Sequence, residues 1–66
     1  MTFLDAVTRF PMLSRWRFKK DHAKTAEVTA HDYSREKLCF RTNFGVIWFT
    51  AERADELLEP EQKGTK

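Results

Sequence analysis

The sequence predicts an α+β domain: a single antiparallel four-stranded sheet, wound as a meander, with an N-terminal and a C-terminal helix packed on one face. Three observations predict it. Arg15-Trp16-Arg17-Phe18-Lys19-Lys20 alternates basic and aromatic residues with a period of two, which on a strand sends cations to one face and apolar rings to the other. Lys37-Leu38-Cys39-Phe40-Arg41 repeats the same logic. Near both ends the apolar residues switch to helical spacing, first at Phe3, Leu4, Val7 and Phe10, then at Ala51, Ala54, Leu57 and Leu58.

Each element has a local reason. Thr2 is a capping residue with Asp5 three positions on, so a helix is expected over residues 2–10, ended by Pro11, which disfavours helical angles at Phe10. Strand one is Arg15 to Lys20, and Asp21-His22-Ala23-Lys24 is a polar connection. Strand two is Thr25 to His31, with Ala26, Val28 and Ala30 on one face and Glu27, Thr29 and His31 on the other. Asp32 to Glu36 reads as a turn and Lys37 to Thr42 as strand three. Asn43-Phe44-Gly45 supplies a hairpin loop in which Gly45 takes a positive φ. Strand four, Val46 to Phe49, is apolar on both faces and therefore expected to be central or covered on both sides. Thr50 caps the last helix, Glu52 suits the positive end of its dipole, and Pro60 closes it. The domain thus spans residues 1–59, with 60–66 as a flexible tail. A small barrel of the SH3 type is the rival arrangement; it requires a fifth strand, beginning at Met12-Leu13.

Composition narrows the function classes. A chain of 66 residues has room for one domain, and such a domain buries only about 60% of its unfolded surface. Six Phe, two Trp and one Tyr supply bulk for the core, and self-association as a homodimer would add stability. The lone Cys39 allows no internal disulfide, so a reducing, cytoplasmic setting is expected. Asp5 and Arg9 interrupt the first apolar positions and no basic segment precedes them, so the N-terminus does not read as a secretory signal. The apolar run Val46 to Phe49 is far too short to span a membrane. The net charge is +2, unevenly spread: residues 1–24 hold six basic against two acidic residues, net +4, and residues 25–66 hold six against eight, net −2.

No catalytic motif stands out, and no enzymatic activity or cofactor is expected. His22, His31 and Cys39 match no zinc-ligand spacing. A Cys39–His31 dyad on one sheet face would still lack an orienting group and an oxyanion pocket. Gly45 and Gly64 are the only glycines, so no phosphate-cradling loop exists. Two binding readings remain. In the first, the basic sheet face contacts nucleic acid: Arg15, Arg17, Lys19, Lys20 and Arg41 neutralise phosphates, while Trp48 or Phe49 stacks on a base, since strand four must send one of the two to that face. In the second, the same exposed ring anchors a protein partner, as a homodimer, adaptor or inhibitor subunit, because Trp and Arg are favoured at interface hot spots. The bland alternative for both is a solvated sheet face above an aromatic core.

From Arg15 to Glu59, the order of four antiparallel strands followed by a helix resembles the half-unit of the Whirly and PUR-repeat single-strand binders. The resemblance is one of element order and carries no individual binding residue. It implies dimerisation of two such units and a nucleic-acid partner held on curved sheets.

Overall fold

The computed structural model describes residues 2–61. In chain order the elements are α1 (Phe3–Arg9), β1 (Arg15–Phe18), β2 (Thr25–Asp32), β3 (Lys37–Thr42), β4 (Gly45–Thr50), α2 (Ala51–Leu57) and β5 (Leu58–Pro60). Both helices begin as their capping residues dictate. The Thr2 hydroxyl accepts from the Asp5 N–H at 3.1 Å, and the Thr50 hydroxyl accepts from the Arg53 N–H at 3.2 Å. The expected α+β class and antiparallel meander are present, and strand three matches its expected bounds at both ends.

The sheet has five strands, in the order β4-β3-β2-β1-β5, rather than four. The extra strand follows α2. Leu57 and Leu58 continue the helical stripe of Ala51 and Ala54 in sequence, but the helix stops at Leu57 and Leu58 takes extended angles. The reason is non-local. β1 has one edge on β2, and its other edge needs partners. Arg17 pairs with Glu59 there, the Lys19 N–H reaches the Leu57 carbonyl at 2.9 Å, and the Glu61 N–H reaches the Arg15 carbonyl. Pro60 and Glu61, expected in the tail, therefore belong to the folded unit; residues 62–66 lie outside the described residues. The fifth strand does not start at Met12-Leu13, although the Leu13 N–H does bond the Val28 carbonyl.

A bulge in β2 changes what faces what. Val28 stands opposite Phe40, yet Ala30 stands opposite Cys39, so Thr29 is the extra residue. Before the bulge Ala26 and Val28 point inward; after it His31 does, opposite the buried Leu38. His31 was expected outside with Thr29 and Cys39. It instead donates from Nε2 to the carbonyl of Phe10 at 2.7 Å and ties β2 to the end of α1. Ala30, expected inside, lies in the row of Cys39.

The core is one cluster on one face. Phe3, Ala6 and Phe10 of α1 and its cap, and Ala51 and Ala54 of α2, pack on Trp16, Val28, Leu38, Phe40 and Leu58. Both helices thus cover the same side of the sheet. The Phe40 ring meets Phe10 and Phe49, each at 5.7 Å between centroids. Phe18 on β1 and Phe49 on β4 approach to 6.4 Å, whereas three flat strand spacings would hold their backbones about 14 Å apart. The sheet therefore curls around its aromatic filling.

Candidate interaction surface on the outer sheet face

The face turned away from the helices carries Arg15, Arg17, Arg41 and Trp48 of the residues expected to act. Register sets them in rows. One row runs Val46, Arg41, Glu27, Arg15 across β4 to β1; the next runs Trp48, Cys39, Ala30; a third runs Thr50, Lys37, Asp32. Arg17 lies beside Thr25 and Glu59. The alternation of Arg15 and Arg17 outward with Trp16 and Phe18 inward follows from the period of two.

The cations are assembled, but each arginine is already matched. Arg15 Nε meets Glu61 at 2.9 Å, Arg17 Nε meets Glu59 at 2.6 Å, and Arg41 meets Glu27 at 3.0 Å. Glu59 also receives His22 at 3.1 Å. The hydrogen bond to Glu61, and secondarily its charge, raises Arg15 above the ordinary arginine value. Arg15, Arg17, Arg41 and Lys37 share the face with Glu27, Asp32, Glu59 and Glu61, so its formal charge cancels. An even mixture of signs projects little long-range potential toward a polyanion.

Lys19 and Lys20 lie past the end of β1 and not on the strand. Lys19 donates to the Asp55 carbonyl of α2 at 3.2 Å. Lys20, beside it at the chain reversal, makes no ion pair among the described residues. Phe49 turns inward, opposite Leu38, and packs on Phe18 and Phe40; it cannot serve as an outer stacking ring. Trp48 is the ring that opens outward, 49% exposed, with Val46 beside it at 63%.

β4 is not central. It forms one edge of the sheet, with no strand beyond it among the described residues. Two apolar faces in the sequence predict a strand that is central or covered on both sides. Its inner face is indeed covered, by the core, but its outer face carries the exposed Val46 and Trp48. The two edges differ. β5 is three residues long, carries Glu59 and ends in Pro60, which has no N–H to offer. β4 is six residues long, Gly-Val-Ile-Trp-Phe-Thr, with no charge, no proline and no register shift against β3. Among the described residues none of the usual devices that discourage edge pairing is present on it.

A depression of about 200 Å³ lies on this face beside Arg15, Glu27, Arg41 and Asn43. It is smaller than the roughly 300–1,000 Å³ of small-molecule sites, so the surface suits a flat macromolecular contact. Among the described residues no cluster of three or more His, Cys, Asp or Glu side chains is placed to hold a metal ion. Among the described residues no helix is long and apolar enough to cross a membrane. Comparison with protein-family models, curated protein sequences and solved structures gave no match.

Proposed function

We propose that the chain is a non-enzymatic protein-interaction module that engages its partner through the open edge and outer face of β4, with Trp48 as the anchor. One observation carries this reading: a half-exposed Trp48 and an exposed Val46 sit on an uncharged, unprotected edge strand. A ring held on a rigid strand loses little entropy on contact, and its burial adds apolar area where main-chain hydrogen bonds are also on offer. The unpaired Cys39 supports a reducing compartment, the cytoplasm, for its work.

A nucleic-acid contact is the second reading. It is favoured by the placement of Trp48 on the face that also bears Arg41, Lys37 and Arg15. The carboxylates Glu27, Glu59 and Glu61 weigh against it, because a phosphate would have to displace each one from its arginine. Salt separates the two. A mixed-sequence single-stranded oligonucleotide carrying a fluorescent label, followed by its anisotropy between about 50 and 200 mM salt, is expected to bind weakly or not at all. Capture of protein from extract is expected to resist the same salt range and to vanish in Trp48→Ala. Tight oligonucleotide binding that falls steeply with salt and is abolished by Arg15→Ala with Arg17→Ala would overturn the protein reading.

A further inference from the structure

We infer that the partner at the β4 edge is a second copy of this chain, paired antiparallel through β4 with the two-fold axis at Trp48. The inference rests on the protein-interaction reading above and names its occupant.

Main-chain parity is the first argument. Thr42 and Gly45 close the two-residue loop Asn43-Phe44, and the pair that closes such a loop exchanges its hydrogen bonds. Alternation then turns the N–H and C=O groups of Gly45, Ile47 and Phe49 toward β3, and those of Val46, Trp48 and Thr50 outward. The neighbouring strand agrees. Val28, opposite Phe40, spends both its groups on β1 and its lead-in: its N–H on the Ser14 carbonyl, its carbonyl on the Leu13 N–H. Phe40 is thereby left to bond Ile47.

The outward groups are self-complementary. In an antiparallel copy centred on Trp48, each Trp48 N–H faces the other's Trp48 carbonyl, and each Thr50 N–H faces the other's Val46 carbonyl. Four interchain hydrogen bonds result. The Thr50 carbonyl is not needed, which suits its position as the helix cap residue whose carbonyl serves the first turn of α2. Side chains match under the same operation. Trp48 lies against Trp48 and Val46 against Thr50, on the outer face. Residues 45–50 carry no charge, so superposing the strand on itself sets no like charges opposite. The product is a continuous ten-strand sheet, twice the observed five, closed by one two-fold axis.

Size sets the strength. One strand edge with a single large ring falls short of the roughly 800 Å² per partner of a standard interface. The dimer is therefore weak and concentration-dependent.

Sedimentation of the full chain from about 1 µM to about 1 mM is expected to show a reversible monomer–dimer equilibrium. Total synthesis permits N-methylation of the Trp48 amide, which removes the outward donor, leaves the side chain in place and touches no hydrogen bond within the fold. It is expected to weaken dimerisation about tenfold or more, since symmetry removes two bonds at once, with the monomer's melting temperature unchanged. Register is read by cross-linking in a Cys39→Ser background. With Trp48 kept, a Val46→Cys chain mixed with a Thr50→Cys chain places two thiols opposite each other on Cα atoms about 5.5 Å apart, within disulfide reach. Either variant alone sets its two thiols about 14 Å apart. Oxidation is expected to link the mixture and spare each variant alone; equal linking, linking of either variant alone, or no linking at concentrations where the chain sediments as a dimer overturns the inference. A chain that stays monomeric throughout also overturns it. If that monomer still captures another protein through Trp48, the protein-interaction reading stands and only the identity of the partner falls; if it captures nothing, both fall.

Discussion

Leu58→Ala tests the least expected part of the fold. Leu58 is fully buried, in a three-residue strand between α2 and β1. Truncating a fully buried leucine costs about 2–5 kcal/mol. β5 is short and lies at a sheet edge, so it can relax partly into the space, which points to the lower half of that range, about 2–3 kcal/mol. A chain of 66 residues stands only roughly 3–10 kcal/mol above its unfolded state. At about 4–8 °C per kcal/mol for a domain of this size, the melting temperature should fall by roughly 8–24 °C. The assay is thermal unfolding by far-UV circular dichroism together with tryptophan fluorescence in a Trp48→Phe background, which isolates Trp16, opposite Pro60. The two probes should move together, since β5 closes the same core as both helices. A change below about 0.5 kcal/mol, the usual range of a surface substitution, would refute the argument and return residues 58–61 to a loose tail.

Other outcomes are equally concrete. Gly45 has φ +135° and nothing within 4 Å of a built Cβ, so Gly45→Ala should cost about 1–3 kcal/mol through backbone strain alone, read as a lower urea midpoint with an unchanged slope. Asp32 accepts from the Arg35 N–H, then from the Ser34 hydroxyl and N–H, and these bonds hold its carboxyl below the ordinary aspartate value. Its contribution to stability is complete above the unfolded-state value and is lost as pH falls through the lower folded one. Asp32→Asn should therefore flatten the acid limb of the stability profile, and the Ser34 and Arg35 amide resonances should titrate with that carboxyl. Cys39 is buried on the outer face, flanked by Trp48 and Ala30. Its thiol should label slowly with a disulfide reagent in the native chain and much faster in Trp48→Ala, while the melting temperature changes little; equal rates would show that Trp48 is not its cover.

Local chemistry was legible in the sequence wherever it was local in space. The caps at Thr2 and Thr50, the alternation through Arg15 and Phe18, the bounds of β3 and the positive φ of Gly45 all rest on interactions within a few residues. What escaped depends on distant partners. The carboxylates that neutralise Arg17 and Arg15 lie 42 and 46 residues away, so a cationic stripe in sequence became a mixed-charge face in space. β5 exists because β1 has an unsatisfied edge, which no window around Leu58 reveals. The bulge at Thr29 carries no glycine to announce it, and it alone moved His31 to the helix side. For the candidate surface, Trp48 was foreseen as one of two candidate rings. The exposed edge beneath it was not, because edge status is a property of strand order.

The pairing of β1 with β5 has a consequence for synthesis. On the ribosome, Trp16 and Phe18 emerge early, yet the neighbour that completes their strand is the last described element to appear. Until Pro60 clears the exit tunnel, β1 presents unsatisfied amides next to greasy rings, the kind of intermediate that aggregates or recruits a chaperone. Maturation of the nascent polypeptide is thus timed by three residues at the far end of the fold.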